Sequence, residues 1–166
     1  MLLNLLFINA CSPNAAEGPE TLPPVLPEPG PAKVTIGVPA GDDGLDFAAL
    51  IPDGELRLQT FGQGGTHVLL GIRGEGFGKR AFVSLTLENT QTGAQAVSPA
   101  PVRPQLFYCH DDNVCDLVPI LAMASGLVRA SEESDGLRIL VHAKVHNAAG
   151  VQAEATQTAL LSTADL

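Results

Sequence analysis

At 166 residues the chain is long enough for one ordinary domain and too short for two with separate cores. Apolar residues make up 45% but aromatics only 4%, and charged residues, at 16%, fall well below the usual quarter; with 17 Gly and 13 Pro, this fits a turn-rich β domain plus a loose segment better than a helical enzyme. The net charge of −9, from 18 acidic against 9 basic residues, offers no concentrated cationic footprint, which disfavours nucleic acid and electrostatic attachment to anionic lipid.

Residues 1–10, MLLNLLFINA, form an apolar run far shorter than the roughly 20 residues needed to span a bilayer. The run leads into Ile8-Asn9-Ala10-Cys11-Ser12. This resembles a bacterial lipoprotein signal: an apolar residue, a variable one, a small one, then the cysteine that is lipidated and becomes residue one. The chain departs from that pattern in two ways: no Lys or Arg precedes the run, and Asn9 is unusual at its position. The resemblance implies a signal peptide over 1–10, lipidation at Cys11 and attachment to a membrane.

From Ser12 to Ala32 come seven prolines together with Glu17, Glu20 and Glu28. Such a run supports neither a strand ladder nor a helix interior, so residues 11–32 are expected to be a disordered, acidic tether. The folded domain is expected over 33–162.

Lys33 to Val38 reads as a first strand stopped by Pro39, and residues 40–46 as a loop. Phe47 to Ile51 is a short apolar patch ended by Pro52-Asp53-Gly54, and Glu55 to Gln59 alternates with Leu56 and Leu58 on one side. The stretch around which the chain is organised follows: Phe61 to Gly65 as a glycine-loosened turn, then a strand with Val68, Leu70 and Ile72 on one face. His67, Leu69, Gly71 and Arg73 lie on the other face, with Gly71 suggesting a bulge or a close neighbouring backbone. Ala81 to Thr90 alternates likewise, with Val83, Leu85 and Leu87 inward.

Thr90-Gln91-Thr92-Gly93 turns into Ala94 to Val97, and the proline-interrupted Ser98 to Pro104 reads as an edge or crossover. Leu106 to Tyr108 and Val114 to Met123 flank a short cysteine loop. The longest alternation, Leu137, Ile139, Val141, Ala143 and Val145, is followed by a turn at 147–150 and a final strand over 151–161, making a terminal hairpin. Seven to eight short strands, with turns about every ten residues and no helical period, point to an all-β, immunoglobulin-like or fibronectin-III-like sandwich.

Three cysteines leave one odd thiol in an oxidising compartment. If Cys11 is lipidated, Cys109 and Cys115 remain as a pair enclosing His110 to Val114, a loop that a disulfide staples well. Free thiols are one alternative. A metal site using Cys109, His110 and Cys115 is another, although its spacing is wider than zinc sites favour and no second pair is present.

His142 and His146 lie four residues apart on one predicted strand, hence about 13 Å apart and too far to share an ion. His67, with Gly64 and Gly65 before it and Arg73 further along the same face, is the candidate for ligand contact: glycines let a ligand approach the backbone and His67 supplies a titratable group. The plainer account is a tight turn followed by an outward histidine. Asp42, Asp43 and Asp46 in one loop, and Asp111 and Asp112 in another, could offer oxygens to calcium, but neither fits an EF-hand and turn formation explains both. No nucleophile elbow, phosphate loop or dinucleotide fingerprint is present, so no catalytic residue and no cofactor is expected.

From Gln63-Gly64-Gly65-Thr66-His67-Val68 onward, over residues 41–161, the chain resembles a loose group of uncharacterised bacterial envelope lipoproteins with a Gly-Gly-x-His-Val turn and strand in one sandwich-like domain. The resemblance implies location and fold, and no activity comes with it. The expectation is a non-enzymatic, lipid-anchored cell-envelope protein, periplasmic or surface-exposed, whose sandwich binds another envelope protein or a polysaccharide. The alternative is a secreted domain that binds calcium or a transition metal.

Overall fold

The structure, a computed structural model, describes residues 31–60, 65–98, 101–110, 113–127 and 134–163. The proposed signal, Cys11, nearly all of the tether, Gly64, Asp111 and Asp112 lie outside the described residues.

Eleven strands and no helix occur among the described residues: β1 Lys33–Ala40, β2 Asp46–Ala49, β3 Gly54–Thr60, β4 Thr66–Glu75, β5 Arg80–Asn89, β6 Gln95–Val97, β7 Gln105–Leu106, β8 Tyr108–Cys109, β9 Val114–Met123, β10 Arg138–His146 and β11 Gln152–Ser162. Eight of them have four residues or more, and β6, β7 and β8 are two- or three-residue pieces. Residues 101–104 carry no strand, as a crossover containing Pro101 and Pro104 requires.

Each long strand exists because its apolar residues recur every second position and so share a face. In β4 Val68, Leu70 and Ile72 are wholly buried, and Val83, Leu85 and Leu87 in β5 and Ile139, Val141, Ala143 and Val145 in β10 repeat the pattern. Each such Val, Leu or Ile side chain contributes roughly 1.5–3 kcal/mol by leaving water.

The strands form an open, sandwich-like arrangement. In one sheet β1 lies between β2 and β4, and β9 pairs with the other edge of β4 and with β8. In the other, β11, β10, β5 and β6 pair antiparallel in that order. β3 joins the two sheets. Its first half, Gly54 to Arg57, runs parallel to β11, and its second half, Leu58 to Thr60, runs antiparallel to β4. The terminal hairpin stands as expected, with Arg138 opposite Leu160 and His146 opposite Gln152.

Two details depart from the sequence reading or sharpen it. Pro39 does not stop β1, which continues to Ala40. Leu50 N donates to Ile36 O, so even-numbered residues of β1 bond toward β2; odd-numbered Pro39 faces the opposite edge, where β4 pairing has ended at Gly37, and its missing N–H leaves no ladder bond broken. Gly71 marks the expected bulge: Leu70 pairs with Ile120 and Ile72 with Leu117, so Val118 and Pro119, joined by a cis peptide, oppose one glycine.

Candidate functional site

The outward face of the β1–β4–β9 sheet is cut away by two glycines. Gly37 on β1 and Gly71 on β4 are register partners, and the ring of Phe47 from β2 lies over both. A Cβ on Gly37 would overlap the Phe47 ring and the Ala48 carbonyl, and one on Gly71 would sit 3.1 Å from Phe47 Cδ2. The ring in turn carries a cation, with the Arg73 guanidinium carbon 4.4 Å from its centroid.

Arg73 and Asp116 are register partners on β4 and β9. Arg73 Nε donates to Asp116 Oδ1 at 2.7 Å and Nη2 donates to Oδ2 at 2.8 Å, a bidentate pair of the strong, planar kind. His110 Nε2 lies 2.7 Å from the same Oδ2. The Asp116 side chain is only 7% exposed. Burial alone would push its carboxyl up, but the hydrogen bonds from Arg73 and His110, with their charges, outweigh burial and hold it below the usual carboxylate range. The hydrogen bond to Asp116 likewise holds Arg73 above its ordinary value.

His110 is aimed by the hairpin of β8 and β9. Cys109 and Cys115 are register partners bridged by a disulfide, with Cα atoms 3.9 Å apart. His110 N donates to Val114 O at 3.1 Å. Tyr108, the register partner of Asp116, presents a ring 79% exposed that meets His110 edge-on with centroids 6.3 Å apart. The result is a braced strip, Phe47–Arg73–Asp116–His110–Tyr108, crossing five strands from β2 over β1, β4 and β9 to β8. Both Asp116 oxygens are engaged by neighbours, so the strip is built to hold a shape and present aromatic and polar surface.

The residues singled out from sequence are dispersed. Arg73 is in the strip. His67 lies six residues back along β4, roughly 20 Å away at strand rise, opposite Gln59 and Met123. Gly65, at φ 113°, packs against the His67 ring, with an added Cβ only 3.2 Å from Cε1, which supports the tight-turn account of that motif. Asp43 Oδ1 accepts from Leu45 N at 3.0 Å, as a turn-forming aspartate does, and Asp46 opposes Ala40 at the start of β2. Among the described residues no group of three or more His, Cys, Asp or Glu side chains is placed to hold a metal ion. The disulfide also removes both thiolates from the metal alternative at Cys109, His110 and Cys115.

His142 and His146 remain separate: His142 Nδ1 is 3.1 Å from Thr156 Oγ1, and His146 stacks on Phe82 with centroids 4.9 Å apart. Asp116 and Phe47 were not singled out from sequence. An acidic residue placed one after a buried cysteine in an otherwise apolar strand was the available signal, and its partner lay 43 residues away.

No protein-family model, curated protein or solved structure matches the chain. Fold and site together define an all-β, sandwich-like domain with a disulfide-stapled hairpin at the edge of one sheet.

Proposed function

We propose that the chain is a non-enzymatic, lipid-anchored protein of a bacterial cell envelope, whose immunoglobulin-like sandwich is a binding module for another envelope component. The observation that carries this reading is the Cys109–Cys115 disulfide. Stable disulfides belong to oxidising compartments, which supports export. Pairing these two also leaves Cys11, at the end of the apolar run, as the one cysteine outside the bridge. The order of strands supports the immunoglobulin-like assignment: one strand divided between both sheets, a parallel contact with the last strand, and a long terminal hairpin.

The binding face is the strip described above, with exposed Tyr108 and Leu106 at one end. Its rigid bracing lets it present aromatic surface without ordering it anew on contact, which lowers the entropic cost of association. The test is mass spectrometry of the N-terminal peptide from membrane fractions. A diacylglyceryl-modified Cys11 is the expected result, and a peptide retaining unmodified Met1 to Cys11 overturns the anchor. Crosslinking in intact envelopes through a photoreactive residue at position 108 should trap a partner; the same label placed at Lys144, on the opposite sheet, should not.

A further inference from the structure

β2 is the last strand at its end of the sheet, and β1 is its one register partner among the described residues. Leu50 N donates to Ile36 O, continuing the ladder that sets Ala48 opposite Val38 and Asp46 opposite Ala40. Backbone groups alternate in direction along a strand, so the even-numbered residues of β2 address β1. Odd-numbered Phe47 and Ala49 therefore turn their N–H and C=O to the outer edge. The side chains that flank this edge are apolar and exposed, Leu45 at 60% and Ile51 at 69%.

Sheet edges are ordinarily guarded by a charge, a proline or a bulge. The stretch of β11 that β3 does not cover carries such a guard in Glu154, held by Lys144 at 2.9 Å. The outer edge of β2 carries none from Leu45 to Ile51. Its single ionised residue, Asp46, is one of those that address β1, and its side chain lies on the opposite face from those of Leu45, Phe47, Ala49 and Ile51.

We propose that this edge pairs with the same edge of a second copy of the chain, antiparallel and two-fold, centred on Ala48. Other registers let Phe47 and Ala49 bond across the edge, and side-chain chemistry rejects them. Centring on Phe47 sets Ile51 opposite Asp43 of the second copy, and centring on Ala49 sets Leu45 opposite Asp53. Centring on Ala48 sets Leu45 opposite Ile51 at both ends and Phe47 opposite Ala49 between them, with no charge opposed to an apolar side chain on that face. The ladder is then four bonds, N–H to C=O in both directions between each Phe47 and Ala49. Leu45 N–H is already taken by Asp43 Oδ1 and Ile51 O by Gly54 N, so the outer pairs contribute packing. Beyond them Pro52 falls opposite Gly44, whose φ of 68° turns the chain away, and the ladder closes. Because Phe47 ends the braced strip at β2, the strips of the two copies meet at the dyad, and one face carries two copies of Tyr108. The inference goes beyond the reading of the strip as a binding face and stands without it.

The experiment follows the ¹⁵N-labelled full chain from about 20 μM to about 1 mM by translational diffusion and amide shifts. Diffusion that slows with concentration is expected, with the shifts concentrated at residues 45–51. Ile51→Lys, at an exposed position outside the core, should weaken association about tenfold or more. Adding Leu45→Glu to that variant should restore it, because the register sets the two side chains opposite each other. Ala48→Cys, made together with Cys11→Ser, stands opposite itself on the dyad and should give a covalent dimer under mild oxidation. Thr156→Cys in the same background, on the other sheet, should not. Monomeric diffusion up to about 1 mM overturns the proposal, as does association that Ile51→Lys leaves unchanged. Bridging through Thr156→Cys as fast as through Ala48→Cys assigns the contact to random collision and overturns it too.

Discussion

Asp116 lies almost wholly out of water yet stays ionised, because Arg73 grips both of its oxygens and His110 one of them. Its folded-state pKa is held below the ordinary carboxylate value, so the unfolded chain binds a proton more readily than the folded one. The stability this contributes is fully present above the unfolded value near about 3.9 and is lost as pH falls through the folded value. Asp116→Asn should therefore cost about 1–3 kcal/mol at neutral pH, measured by urea unfolding, and the deficit relative to wild type should shrink below about pH 4. An undiminished deficit at pH 3 would show that the carboxylate's charge is not what matters. Gly71 makes a second residue-scale case. Its φ is not in the left-handed region, so only space constrains it: a Cβ would stand 3.0 Å from Val118 Cγ2 and 3.1 Å from Phe47 Cδ2. Gly71→Ala should destabilise by about 1–3 kcal/mol and lift Phe47 away from Arg73, visible as a loss of ring-current shift at the Arg73 side chain.

Among the elements, the β8–β9 hairpin depends most on a covalent tie. β8 has two residues and pairs with β9 at two positions, one of them the disulfide itself. With a sequence separation of 6, removing the bridge by Cys109→Ala and Cys115→Ala should cost about 2 kcal/mol on the loop-entropy account. It should also free His110 from Asp116, detectable as changed imidazole chemical shifts at fixed pH, with those of His142 and His146 unaltered. Period-two alternation, legible in single strands, predicted the core faces of β4, β5 and β10, and cysteine arithmetic predicted the bridge. The alternation did not show that Pro39 lies inside β1, because that is tolerable only where β4 has no claim on its N–H, a fact about a neighbouring strand. Nor did it show that β3 belongs to both sheets. Leu56 and Leu58 alternate without interruption, and nothing local marks the point between them where the partner changes from β11 to β4.

At the scale of the molecule, closure comes late in the chain. β11 is antiparallel to β10 and parallel to β3, so Leu161 must find Leu56 more than a hundred residues earlier before the two sheets are joined. Ending the chain at Asn147 should leave no cooperatively folded domain, read as collapse of the dispersed amide spectrum, because β10 and β3 would each lose an entire partner strand. A well-dispersed spectrum from that truncation would show that β3 is held by β4 alone.

What the sequence determined by itself was everything carried by local period and by counting. An all-β fold, the inward residues of its long strands, the final hairpin and the Cys109–Cys115 pair all follow from alternation, turn residues and an odd number of cysteines. The tertiary structure alone decided which strands are neighbours, and with that every candidate site. Arg73 meets Asp116 across 43 residues, and Phe47 lies in the space left by Gly37 and Gly71. Strand pairing is a long-range choice made by the packing of the whole core, and a period-two pattern reads the same whichever partner a strand takes.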